Sequence, residues 1–123
     1  MLRTIVVGAG RISLSHIPHL MMHRQLDVVA VVEKSWVLRA VMRKLLNVKI
    51  YKSAAQINLD DYDLVFLLTP PGSHFNLAEG FISNKKHVFI EKPLCLNPKD
   101  SRRLLALAEK NQVQVSVGYV YRF

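Results

Sequence analysis

The sequence holds a single cysteine, Cys95, among its 123 residues. No disulfide can close within the chain, and a reducing compartment is expected. Cys95 itself reads as a small buried apolar residue. The uninterrupted apolar stretches are short, as in LVFLL from Leu64 to Leu68, far below the ~20 residues of a membrane span. No cleavable signal pattern precedes the first strand, so a cytoplasmic location is expected. Asn-Gly and Asp-Gly pairs are missing too, and with them the strongest short hairpin signals. Basic runs are also lacking. Lys and Arg outnumber Asp and Glu 17 to 9, for a net charge of +8. Yet they occur singly or in pairs without aromatic interleaving, which argues against specific nucleic-acid recognition and leaves only salt-sensitive association. Anionic small ligands suit the charge equally well. There is no repeat, low-complexity segment or linker, and no metal site is expected.

What is present is ordinary globular composition, 50% hydrophobic and 21% charged, at a length that suits one domain over residues 1–123. Short β-rich apolar runs alternate with longer helical patterns. Strands are expected over Arg3 to Gly8, Asp27 to Glu33, Lys49 to Tyr51, Asp63 to Thr69, His87 to Glu91 and Gln114 to Tyr119. Helices are expected over Ile12 to Arg24, Ser35 to Leu46, Ser73 to Asn84 and Pro98 to Asn111. Ser35 and Ser73 are placed to cap their helices, and Asn97 followed by Pro98 gives a cap with proline at the first helical position. In the last helix Leu104, Leu105, Leu107 and Ala108 form the apolar stripe. Most strands are continuous apolar runs, which implies burial on both faces. The fold class that follows is α/β, a doubly wound, mostly parallel sheet with helices on both faces.

In such sheets ligands bind beyond the carboxyl ends of the strands. The residues that packing does not explain fall at those ends. Gly8 and Gly10 close the first strand in VVGAGRIS, followed by Arg11 and Ile12 at the start of a helix. Gly8 suits a tight turn, and Gly10 suits backbone approach to a pyrophosphate on the helix N-terminus. Ser13 stands where a third glycine serves close packing of helix on strand. A plain strand-to-helix turn is the competing reading. Glu33 follows Gly10 by 23 residues, close to the ~20 at which a carboxylate meets adenosine ribose hydroxyls and repels a 2′-phosphate. NAD is favoured over NADP on that ground, although Lys34 and Arg39 could offset the repulsion; a solvated strand-end acid is the alternative. Thr69, Pro70 and Pro71 form a stiff wall after the fourth strand. His74 either faces the cleft or lies on the first helical turn. His16, His19 and His23 read as structural or surface residues. The EKPL stretch puts Glu91 and Lys92 at the crevice, where burial and mutual pairing can adapt a lysine for proton transfer; a simple ion pair before a proline turn is the other reading. The last strand runs toward Tyr119 and Arg122.

With VVGAGRIS, VVE, TPPGSHF, FIEKPL and VGYVYRF in this order, essentially the whole chain resembles the N-terminal domain of the Gfo/Idh/MocA oxidoreductases. The resemblance implies a Rossmann domain for NAD or NADP, with Gly8, Gly10, Arg11, Ile12, Glu33, Thr69, Pro70, Pro71, His74, Glu91 and Lys92 at the cofactor. Lys92 is the implied catalytic residue, beside nicotinamide and substrate, and Glu91 is implied to lie by the nicotinamide ribose. The reaction implied is hydride transfer at a sugar, cyclitol or related carbinol. Family members continue past the YRF segment into an α/β domain that supplies the substrate pocket, a catalytic Asp and His, and usually a homo-oligomer interface. The chain alone is therefore expected to be inactive. A stand-alone nucleotide- or partner-binding module is the second reading of the same residues.

Overall fold

A computed structural model describes residues 1–118; the expected Tyr119 strand end and Arg122 lie outside the described residues. Six strands form one parallel sheet: β1 (Leu2–Val7), β2 (Leu26–Val32), β3 (Lys49–Tyr51), β4 (Leu64–Leu67), β5 (His87–Glu91) and β6 (Val115–Gly118), ordered β3-β2-β1-β4-β5-β6. Four helices connect them: α1 (Ser13–Met22), α2 (Trp36–Leu45), α3 (His74–Ser83) and α4 (Pro98–Asn111). Alternate residues of the strands feed two cores. Val6, Val28 and Val31 pack with Ile17 and Leu20 of α1 and Met42 of α2. Ile5, Val7, Val65, Leu67, Val88 and Ile90 pack on the other face with Ala78, Phe81 and Ile82 of α3 and Leu104 and Ala108 of α4. This is the doubly wound arrangement, and burial on both faces explains the continuous apolar runs.

Differences from the expected boundaries have local causes. β1 stops at Val7 because Gly8 turns the chain at φ 101°. The third helix begins one residue late: Pro71–Ser73 form a 3-10 turn first, so Ser73 is already in helical conformation and cannot cap. Its hydroxyl donates instead to the Pro70 carbonyl at 2.8 Å and lies 2.7 Å from the Thr69 hydroxyl, which can donate to it. Ser35 and Asn97 cap as expected, accepting from the N–H of Leu38 and of Lys99. Leu105 falls on the solvent side of α4, outside the apolar stripe. Cys95 is half-buried; burial pushes its thiol pKa up, with a smaller upward push from the Asp100 carboxylate, against a lowering hydrogen bond from Ser101. Two 3-10 turns, Ala54–Gln56 and Leu59–Asp61, fill the connection between β3 and β4. The first carries a reciprocal cap between Ser53 and Gln56.

Candidate functional site

β1 and β4 lie side by side, yet the helices that follow them leave to opposite faces of the sheet. A crevice opens beyond their carboxyl ends. There the surface holds a groove of about 940 Å³, within the ~300 to 1,000 Å³ usual for cofactor clefts. Gly8, Gly10, Arg11 and Ile12 line it from the first turn, Glu33 from the end of β2, and Thr69 and Pro70 from the end of β4. Gly8 has no substitute there, for a Cβ would stand 3.0 Å from the Leu68 carbonyl carbon and oxygen, in addition to the positive φ. Gly10 differs. A Cβ on it would meet nothing within 4 Å, so the space above this exposed turn is free for a ligand. The buried Ser13 donates its hydroxyl to the Gly10 carbonyl at 2.5 Å and steadies the turn.

Glu33 is fixed rather than solvated. Its Oε2 accepts the Ala9 N–H at 2.6 Å, and its Oε1 accepts the Ser35 N–H at 3.1 Å. Charge-assisted hydrogen bonds of this kind set the carboxylate in the groove while each oxygen keeps a lone pair for a hydroxyl donor. Arg39 turns away from this role. Its Nη1 donates to the carbonyls of Glu33, at 3.0 Å, and of Lys34, at 2.7 Å, bracing the backbone. Of the two expected cations only Lys34 lines the groove.

His74 is fully buried and does not face the groove. Its Nε2 lies 2.8 Å from the Thr69 carbonyl, and its Nδ1 lies 2.8 Å from the Pro93 carbonyl. The ring thus joins the loop after β4 to the loop after β5, and it lies outside the lining of the groove. Pro71, on the same loop, is also outside the lining. His74→Phe keeps the bulk and removes the bridge. A carbonyl left without its donor should cost ~1 to 3 kcal/mol, measurable as a lowered denaturant midpoint, whereas an unchanged midpoint would show that the bridge contributes nothing.

Lys92 is exposed at the end of β5, beside a cis Lys92–Pro93 peptide. The expected pairing of Glu91 with Lys92 is not what the structure shows. Glu91 is 8% exposed, and its Oε1 takes a hydrogen bond of 2.7 Å from His16 Nε2. Its Oε2 accepts the backbone N–H of Lys92 at 3.2 Å. His16, read from sequence as a structural or surface residue, therefore acquires a partner on a strand distant in the chain. Neither Glu91 nor Lys92 lines the 940 Å³ groove; they stand one strand further along, beyond β4.

Sequence reasoning missed the far end of the groove, where Lys52 and Ser53 follow β3 and Leu77 projects from α3. The signal existed, since β3 is a strand whose carboxyl end obeys the same rule as the others. A dinucleotide fits these residues: open space over Gly10, an anchored carboxylate at Glu33, and apolar Leu38 and Leu77 alongside.

Comparison with known proteins gives the same answer. The profile of the Gfo/Idh/MocA oxidoreductase family, NAD-binding Rossmann fold, matches residues 2–119. Myo-inositol 2-dehydrogenase of Thermotoga maritima is 32% identical over 99% of this chain and 37% of its own length. UDP-N-acetylglucosamine 3-dehydrogenase of Acidithiobacillus ferrooxidans is 26% identical over 98% of this chain and 38% of its own. Among solved structures, a probable dehydrogenase from Thermotoga maritima superposes with a TM-score of 0.91 at 32% identity, over 98% of this chain and 37% of that one. Biliverdin reductase from Synechocystis, in complex with biliverdin and NADP+, gives 0.92 at 26% identity, over 98% of this chain and 38% of that one. The chain spans about a third of the length of the curated relatives it matches. By strand order, glycine turn and family match together, the chain belongs to the Gfo/Idh/MocA oxidoreductases, as an NAD(P)-binding Rossmann domain.

Proposed function

We propose that this domain binds NAD(H) in preference to NADP(H) and presents it to a sugar, cyclitol or related carbinol held by a further domain of a longer protein. The observation that carries the cofactor choice is Glu33, whose carboxylate is held in the groove by two backbone N–H groups. A fixed carboxylate accepts hydrogen bonds from ribose hydroxyls and repels a phosphate in the same place. Gly10, Arg11 and Ile12 would receive the pyrophosphate at the start of α1, with Thr69 and Pro70 as the wall. Bound NAD supplies the hydride acceptor. Lys92 would hold the carbinol oxygen and move its proton. The similarity to an inositol dehydrogenase and a nucleotide-sugar dehydrogenase supports the carbinol class.

Trp36 opens α2 just beyond Glu33 and is 73% exposed, so its fluorescence is a local probe. Titration by fluorescence or calorimetry should saturate with NADH, and NADPH should bind about tenfold more weakly, a difference of ~1.4 kcal/mol. Glu33→Ala should narrow that gap. The reading fails if millimolar NADH gives neither heat nor a fluorescence change. Equal binding of both cofactors by the unsubstituted chain would transfer the decision from Glu33 to Lys34 and Lys52.

A further inference from the structure

We propose that His16 is a positioning residue: through Glu91 it ties the phosphate-binding end of α1 to the turn that carries Lys92, setting the nicotinamide half of the cleft against the adenosine half. The inference rests on the groove being an NAD(H) site. His16 is the fourth residue of α1, and its partner lies at the end of β5, so the contact joins residues 75 apart in the chain. The apolar side of α1, Ile17 and Leu20, packs toward β1 and β2 instead. His19 and His23 do not make a link of this kind: His19 Nδ1 faces the Ser15 carbonyl of its own helix, and His23 Nδ1 accepts the Gln25 N–H.

The surroundings of the pair are built to hold it. The His16 ring leans on Phe89 and Phe66, with centroids 5.6 and 6.3 Å away, and those two rings stack on each other at 4.7 Å. From β6, Gly118 leaves room for the carboxylate, because a Cβ there would stand 2.8 Å from Phe89 Cζ and 3.1 Å from Glu91 Oε1. A carboxylate this enclosed needs hydrogen-bond donors, and it has two: the His16 ring and the Lys92 backbone N–H. The second contact carries the constraint to the backbone of Lys92. Neither His16 nor Glu91 touches the Glu33 end, which is held separately by Ala9 and Ser35.

That separation supplies the test on the 123-residue chain, with NADH and ADP as the two probes. ADP has the adenosine and phosphates but no nicotinamide half. His16→Phe keeps an aromatic ring against Phe66 and Phe89 and removes the donor. It should weaken NADH about fivefold or more, a usual size for coupling between sites, and leave ADP within about twofold. His16→Gln, whose amide can donate to Glu91, should restore NADH binding. Should His16→Phe fail to fold, Glu91→Leu removes the acceptor without altering α1 and should give the same split. Equal loss of both probes, no loss of either, or no rescue by glutamine would overturn the inference while leaving the cofactor reading in place. If the unsubstituted chain bound ADP but not NADH, or neither, the cofactor reading would fall and this inference with it.

Discussion

In a polypeptide that joins this domain to a substrate domain, Lys92→Ala should lower kcat by about 10²- to 10⁴-fold, the usual worth of a positioned proton-transfer group. The NAD(H) dissociation constant should stay within a few fold, because Lys92 is outside the groove that holds Gly10, Glu33 and Thr69. The structure supplies the reason for expecting a specific role. The residues on either side of Lys92 are clamped, Glu91 by His16 and the Pro93 carbonyl by His74. The side chain between them is exposed and takes part in none of the ion pairs among the described residues. A rigid backbone carrying an unengaged ammonium at a cleft is suited to act on something that arrives from outside the domain. Lys92→Arg should recover little, since a planar guanidinium does not surrender a proton and places its donors differently. The 123-residue chain alone should bind cofactor and turn over no sugar or cyclitol. Hydride transfer needs the carbinol within ~3 to 3.5 Å of the nicotinamide in an aligned pose, and one wall of a site does not provide it. NADH formation across a panel of sugars and cyclitols checks both halves. An active Lys92→Ala long form would remove the lysine from the mechanism, and turnover by the short chain would show that the catalytic groups lie within it.

The parts of this molecule that sequence made legible are those set by neighbours in the chain. Strand-rich runs such as LVFLL, the Gly8 turn and the Asn97-Pro98 helix start depend on a few adjacent residues, and the structure has all three, with β4 confined to Leu64–Leu67 of the expected Asp63 to Thr69. The position of Glu33 in the groove was legible for a similar reason, as an acid at a strand end a fixed interval from a glycine turn. The two histidine bridges were not. His16 meets Glu91 across 75 residues, and His74 meets Pro93 across 19; nothing local to either histidine announces its partner. For His74 the sequence left two places open, the cleft and the first helical turn, and the resemblance implied the cofactor; the structure buries it outside the groove lining. Only packing reveals this. Arg39, which by its charge could have offset repulsion of a 2′-phosphate, has its Nη1 bonded to two carbonyls, a partner choice that charge alone does not announce. The Ser53-to-Gln56 cap was legible in principle, since a serine followed three residues later by glutamine is a known helix-start signature.

Gly8→Ala and Gly10→Ala should separate folding from binding within one turn. At Gly8 the backbone has φ 101°, and the added methyl would press on the Leu68 carbonyl at 3.0 Å and the Thr69 nitrogen at 3.1 Å. These are backbone atoms of the neighbouring strand end, held by the Leu68 N–H bond to the Val7 carbonyl at 2.8 Å, so they cannot swing aside as a side chain would. A left-handed backbone costs an L-residue ~1 to 2 kcal/mol, and overpacking adds ~1 to 3. The sum, about 2 to 5 kcal/mol, should lower Tm by roughly 10 °C or more in a domain of this size. At Gly10 the same methyl meets no atom within 4 Å and has no positive φ to contend with, so Tm should move by no more than about 2 °C, as for ordinary surface changes. The methyl would instead stand where a pyrophosphate approaches the backbone, and NADH affinity should fall about tenfold or more. Melting curves and NADH titrations on the two variants give four readings. An intact Tm for Gly8→Ala would mean that the β1 and β4 ends can part at little cost. Undiminished NADH binding by Gly10→Ala would mean that the pyrophosphate does not cross this turn.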